Sequence, residues 1–324
     1  MKVFFAVDGS RESLAAVRQV GQLLSPTNDS AAFYFAPPDV VFRRGGRVVA
    51  PVMDAVAVAA EPSGAAKHLH EDRSLQEVAA EAVVETVVGE ARRLLPEPLA
   101  AGATVIAAQH TPREGILIES EKWGADLIVV GARGMSGLDT VLFGSVSRAV
   151  VHDSQIPVYV ARASAEDRGN RPFRVLFAYD GSACCEAALA AAAKLKMPNH
   201  TEATALTAIE TLPPEVPEWM AQAGRSSEAA EMIDRWTREV ERDKRRAYDE
   251  LTRLMARQTA PLTGADIVVA EGHSAEQILK LAVERRVDLI VLGSQGKGLL
   301  KRFFIGSTSD KVLTNAGCSV LVAR

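Results

Sequence analysis

Cysteine is scarce: the 324 residues hold three, Cys184, Cys185 and Cys318. An odd count with two adjacent members excludes the disulfide framework of a small secreted domain, and it fits a compartment where thiols stay reduced. Aromatic residues make up 5% of the chain, too few for the stacking platforms that hold single-stranded nucleic acid. No excess of basic charge is present. The 37 Lys and Arg face 41 Asp and Glu, a net charge of −4, which excludes a broad electrostatic grip on DNA or RNA. Long apolar runs are missing as well. The longest apolar region, 48–60, is interrupted by Pro51 and Asp54, short of the roughly 18 residues a membrane span needs. The opening run 3–7 ends at Asp8, before it reaches the length of a secretory core. These absences predict a cytoplasmic protein without nucleic-acid or membrane partners.

What is present is an ordinary globular composition, 48% hydrophobic and 24% charged, at a length that suits two domains. The chain also repeats itself, a feature to settle before single motifs are read. Residues 2–10 read KVFFAVDGS and residues 174–182 read RVLFAYDGS. ADLIVVGARG at 125–134 matches VDLIVLGSQG at 287–296. Asp8 and Asp180 stand 172 positions apart, Gly131 and Gly293 only 162, so the second copy is ten residues shorter in its middle. The duplication predicts domains at 1–163 and 173–324, joined by a polar linker at 164–172.

Each copy alternates strands and helices. The short apolar runs 3–7 and 175–179, rich in β-branched and aromatic residues and ended by Asp-Gly, read as buried strands. Ser10 and Ser182 are placed to cap the helices that follow. Second strands are predicted at 31–36 and 203–209, third strands at 104–108 and 266–270, fourth at 127–130 and 289–292, and last from Val158 to Ala161 and from Val320 to Ala323. Helices are predicted at 75–95, 113–123, 229–256 and 275–284, and from Ser145 and Ser307 onward. The 229–256 helix carries Ile233, Trp236, Val240, Ala247, Leu251 and Leu254 at helical spacing. Strands apolar on both faces, alternating with helices, predict two tandem doubly wound, Rossmann-like α/β domains with five-stranded parallel sheets. Ligands of such sheets bind at the carboxyl ends of the strands, where both Asp-Gly-Ser turns fall.

After the fourth strand of each copy comes the pattern G-x2-G-x9-G-S: Gly131, Gly134, Gly144 and Ser145, then Gly293, Gly296, Gly306 and Ser307. Glycines let a backbone approach a ligand closely, successive N–H groups cradle phosphate oxygens, and a helix start favours an anion. Strand-to-helix turns also use Gly and Ser for purely structural reasons.

Taken together, the Asp8-Gly9-Ser10 strand end, the 126–131 strand, the G-x2-G-x9-G-S loop and the closing run 155–160, QIPVYV, resemble the universal stress proteins, here as a tandem pair over nearly the whole chain. The resemblance implies strand order 3-2-1-4-5 and the ATP-binding branch of that family. It implies that Asp8 and Asp180 contact ribose or a nucleotide-bound Mg ion and that Ala36 and Ala208 hold adenine through backbone groups. It places Gly131 and Gly293 beside the ribose, and Gly134, Gly144, Ser145, Gly296, Gly306 and Ser307 at the phosphates. It also implies self-association through the closing strands, Val158 to Ala161 and Val320 to Ala323. Two departures stand out: Gln295 replaces Arg133, with Lys297 nearby, and Pro37-Pro38 follows the second strand of copy one.

Other features have plainer readings. His110 and His273 read as loop histidines near helix starts, and His68 and His70 as solvated. Cys184 and Cys185 read as small packing residues, and the charged run 235–246 as a solvated face. The segment 40–49 reads as a hairpin or an insert, and the Pro-rich 212–219 takes its place in copy two. Three functions stand side by side: an ATP-binding stress-response module with a regulatory protein partner and no strong catalysis, a slow ATPase or self-phosphorylating protein, and an interaction scaffold with vestigial loops. No catalytic residue is assigned, since no G-x4-G-K-[ST] is present.

Overall fold

The computed structural model describes residues 1–35, 75–106, 111–134, 143–163, 171–211, 226–296 and 305–324. The chain divides into two compact units, Met1–Asp167 with Lys194–Lys196, and Arg168–Ala193 with Met197–Arg324.

The first unit runs β1 (Lys2–Val7), α1 (Arg11–Gly21), β2 (Ser30–Phe35), α2 (Leu75–Arg93), α3 (Glu97–Ala101), β3 (Thr104–Ile106), α4 (Pro112–Trp123), β4 (Leu127–Gly131), α5 (Ser145–Asp153) and β5 (Val158–Ala161). All its strand pairs are parallel, in the order β3-β2-β1-β4-β5. Phe4 lies beside Ala32 and Ile128 in that register. Successive side chains point to opposite faces, so Phe4 and Phe5 serve different faces of the sheet. Phe4 stacks on Tyr34 at 5.9 Å and Phe5 on Phe33 at 5.6 Å, and all four are fully buried. Burying side chains of this size contributes about 1.5–3 kcal/mol each.

The second unit repeats the plan with β6 (Phe173–Ala178), α6 (Ala183–Ala193), β7 (Thr201–Ile209), α7 (Ser226–Met255), β8 (Asp266–Glu271), α8 (Ser274–Glu284), β9 (Leu289–Gly293), α9 (Ser307–Asn315) and β10 (Ser319–Ala323). Its order is β8-β7-β6-β9-β10, again parallel throughout. Both units are therefore the five-stranded doubly wound sheets that the alternation predicts.

One carboxylate registers β1 against β4. Asp126, just before β4, accepts a hydrogen bond of 2.8 Å from the Lys2 backbone N–H. Asp288 does the same in the second unit, accepting from the Arg174 N–H at 2.9 Å, and it is buried under a two-pronged contact from Arg171 at 2.9 and 2.6 Å.

Two details differ from the sequence-based expectation. The helix expected over 75–95 ends at Arg93, because Pro96 and Pro98 favour a new start, and the short α3 follows. On α7, Val240, Leu251 and Met255 are buried while Ile233 is 46% exposed, so the apolar face packs only over its later turns. The last helices start at Ser145 and Ser307, as expected, with Gly144 and Gly306 at the cap positions of α5 and α9. Ala36, His68, His70, His110, Lys297 and the segments 40–49, 164–170 and 212–219 lie outside the described residues.

Candidate functional site

The carboxyl ends of β1 and β4, or of β6 and β9, form each candidate site. In the first unit β1 leads into a turn in which Gly9 has φ +82°, a conformation that disfavours a side chain. That turn lets the Asp8 carboxylate accept from the Ser10 N–H at 2.9 Å. Ser10 then caps α1, accepting from the Ser13 N–H at 3.2 Å, as its position predicts. The second unit has Gly181 at φ +77°, Asp180 accepting from the Ser182 N–H at 2.8 Å and Ser182 accepting from the Cys185 N–H at 3.3 Å.

The glycine loop packs against this turn. A Cβ on Gly134 would stand 2.7 Å from Asp8 Oδ2, and one on Gly296 would stand 2.8 Å from Asp180 Oδ2. The second glycine of each loop thus brings backbone directly onto the strand-end carboxylate. The first glycine does something else. A Cβ on Gly131 would meet the backbone of Glu12 and Ser13 at 2.8 Å, and one on Gly293 that of Cys184 and Cys185 at 2.7–2.8 Å. This close packing of strand end on helix start accounts for Gly131 and Gly293 without a ligand. At the far end of the loop, the Gly144 N–H donates to Ala132 O at 2.8 Å and the Gly306 N–H to Ser294 O at 2.7 Å. Ser147 Oγ donates to Gly131 O at 2.6 Å and Ser309 Oγ to Gly293 O at 2.7 Å. The described ends of the loop therefore meet at a neck, with the start of α5 or α9 held beside it. The first N–H groups of a helix have no partner within the helix, and Ser145 and Ser307, both exposed, sit among them.

In the second unit these pieces enclose a cavity of about 300 Å³. Six residues singled out in the sequence line it: Asp180, Ala208, Gly293, Gly296, Gly306 and Ser307. They are joined by Tyr179, Cys185, Leu206, Ile278, Leu292 and Thr308 among others. The lining combines apolar side chains with backbone, hydroxyls, a thiol, an amide and one carboxylate. In the first unit Asp8, Gly131, Gly134, Gly144 and Ser145 take the corresponding places. His273 is the cap residue of α8, with Nδ1 3.3 Å from Glu210 Oε1, in line with its reading as a histidine at a helix start.

Cys185 is the buried packing residue that the sequence suggests, with one addition. Its thiol does more than pack: Sγ donates to Asp180 Oδ1 at 3.1 Å and lines the cavity. Burial pushes its pKa up, with the Asp180 charge adding to the effect and the Ser182 contact opposing it. Ser13 occupies the same place in the first unit, where Oγ donates to Ser10 O at 3.0 Å and accepts from the Asp8 N–H at 3.4 Å. Glu12 and Cys184 are a second pair that the reading of apolar faces missed. The 172-residue offset that links Asp8 to Asp180 aligns both pairs.

Among the described residues no cluster of three or more His, Cys, Asp or Glu could hold a metal ion. Asp8 and Asp180 are single carboxylates, so a cation here would need further oxygens from a ligand, as Mg ions usually take from phosphates. Among the same residues no helix is long and apolar enough to cross a membrane.

The model of the universal stress protein family matches the chain twice, over residues 1–162 and 173–324. The chain belongs to the universal stress protein family. A universal stress protein of Mycolicibacterium smegmatis is 27% identical, over 99% of this chain and 96% of its own length. One from Thermus aquaticus is 31% identical over 46% of this chain and 97% of its own, so this relative is the length of a single unit. The crystal structure of a universal stress protein from Archaeoglobus fulgidus shares the tandem α/β fold, with a TM-score of 0.53 at 19% identity, covering 100% of this chain and 98% of that one. The two family matches are the two copies found by internal comparison of the sequence.

Proposed function

We propose that this universal stress protein binds an adenine nucleotide, ATP with Mg, in each unit, and that occupancy regulates its association with a protein partner in the cytoplasm without a catalytic step. The observation that carries this reading is the convergence of Asp180, Ala208, Gly293, Gly296, Gly306 and Ser307 on one cavity. Each class of residue supports a part of such a ligand. The apolar side chains of Leu206, Ile278 and Leu292 in the lining suit a base, with the backbone of Ala208 available to its polar edge. The free N–H groups at the start of α9 and the Gly296 backbone suit phosphate oxygens. Asp180, with Oδ1 held by Ser182 and Cys185, suits a ribose hydroxyl or the nucleotide's cation. Asp8, Gly134, Gly144 and Ser145 take the same roles in the first unit. Three free thiols agree with a reducing, cytoplasmic setting. β5 and β10, each at one edge of its own unit's sheet, are the strands offered for self-association.

The test is a thermal-melt titration of the full chain with Mg-ATP. Ligand at about 1,000 times its Kd stabilises a site by about 4 kcal/mol, so the melting temperature should climb steadily with nucleotide. A melt that stays fixed up to millimolar Mg-ATP refutes the reading.

A further inference from the structure

The two sites are built alike except in one charged pair. Glu12, in the first turn of α1, faces Arg133 of the glycine loop with Oε1 and Nε 3.4 Å apart. The Glu12 side chain is 16% exposed and that of Arg133 40%. A well-made Arg–carboxylate pair has two parallel bonds near 2.7–2.9 Å; in this one the shortest approach is 3.4 Å. Arg133 Nε is itself shielded from solvent and makes no hydrogen bond among the described residues. The Arg133 backbone is anchored, since Ser10 Oγ donates to its carbonyl at 3.4 Å, so the side chain is the part free to move.

The second unit holds Cys184 and Gln295 at these positions. The match is geometric as well as sequential: a Cβ on Gly131 meets the carbonyl carbon and Cβ of Glu12 at 2.8 and 2.9 Å, and one on Gly293 meets those of Cys184 at the same distances. Acid and base have thus been exchanged together for neutral residues. That is the pattern of a unit whose members matter to each other, because removing one alone strands the other's charge.

Resting on the nucleotide reading above, we propose that Glu12 and Arg133 set the ligand-charge preference of the first site. Glu12 holds Arg133 loosely when the site is empty, and a polyphosphate displaces Glu12 as the guanidinium's partner. A phosphate offers the planar, two-pronged contact that Glu12 does not make. The first site therefore prefers ligands with more phosphates, and Glu12 tempers that preference by competing for Arg133. The second site, with Gln295, has no such exchange.

The experiment is calorimetric titration of the full chain with ATP and, separately, with adenosine, which lacks phosphates. Arg133→Gln is expected to weaken ATP about tenfold at one of the two sites, the scale of one charge-assisted hydrogen bond, and to leave adenosine unchanged. Arg133→Lys is expected to keep part of the ATP preference. Glu12→Gln is expected to tighten ATP at that site about threefold, by removal of a loose ion pair, again without effect on adenosine. An ATP-to-adenosine ratio unmoved by Arg133→Gln overturns the proposal, as does a Glu12→Gln variant that weakens ATP. In both cases the nucleotide reading survives, because wild-type protein still binds. A wild-type chain that binds neither ligand overturns both.

Discussion

Gly131 and Gly134 illustrate how much one residue type conceals at the scale of single positions. Both belong to one motif and both suggest a backbone held against a ligand. The structure separates them: Gly131 packs on the backbone of Glu12 and Ser13, whereas Gly134 packs on the end of the Asp8 side chain. Backbone cannot yield, while a carboxylate can turn. Gly131→Ala is therefore expected to destabilise the first unit by about 1–3 kcal/mol, the range of an overpacked contact. Gly134→Ala should cost less stability but displace Asp8 and weaken nucleotide binding. Chemical-denaturation curves and ATP titrations of the two variants check this, and the opposite ranking of stabilities would sink it. The sequence could propose the motif but not this division of labour, because a glycine has no side chain to show which neighbour excludes one. The Glu12–Arg133 pair was hidden for a related reason. Apolar periodicity aligns helix faces, and polar partners in the first turn of a helix contribute nothing to that signal.

At the scale of elements, the sheet was legible because its strands are buried on both faces and its turns carry Asp-Gly. The 126–131 run belongs to the pattern that carries the family resemblance, and its acid now has a physical role. Asp126 joins the start of β4 to the first N–H of β1. That hydrogen bond is the main reason its pKa lies below the ordinary 3.8, against a smaller opposing effect of burial. A carboxyl depressed in the folded state stabilises above its unfolded pKa and loses that contribution as pH falls through its folded value. Asp126→Asn should therefore lower the first unit's stability at pH 7 by at most about 1 kcal/mol, since solvent screens a partly exposed group. The gap from wild type should narrow at pH values below about 3.8. Urea midpoints at pH 7 and pH 3 measure it, and a gap of constant size contradicts the assignment. Less legible were α3, set off by its two prolines, and the exposed start of α7. Periodicity marks which face of a helix can pack, not how far along its length a sheet extends beneath it.

The whole molecule is a duplication whose copies share a frame and differ in the chemistry set into it. Ser13 against Cys185 is a useful difference, since it places a thiol in the second unit's cavity and none at the corresponding place in the first. In a Cys184→Ser background, alkylation of Cys185 should be slow at neutral pH, because burial and the Asp180 carboxylate keep the thiol protonated. Mg-ATP should slow it further, and Asp180→Asn, which removes a nearby negative charge, should speed it. Peptide mass spectrometry of the alkylated chain reads the second site alone. Labelling that ignores nucleotide at concentrations that shift the melt would place binding elsewhere.

The neck of the glycine loop carries one more consequence. Its two ends are tied by the Gly144 N–H to Ala132 O and by Ser147 Oγ to Gly131 O, and equivalently in the second unit. The junction of strand and helix is closed by contacts that do not involve the residues strung between those ends. The start of α5 or α9 therefore keeps its place by contacts independent of the run that follows Gly134 or Gly296, where the two copies differ in sequence. A duplicated chain built this way can give its two halves separate tasks by exchanging a cassette rather than by rebuilding a fold.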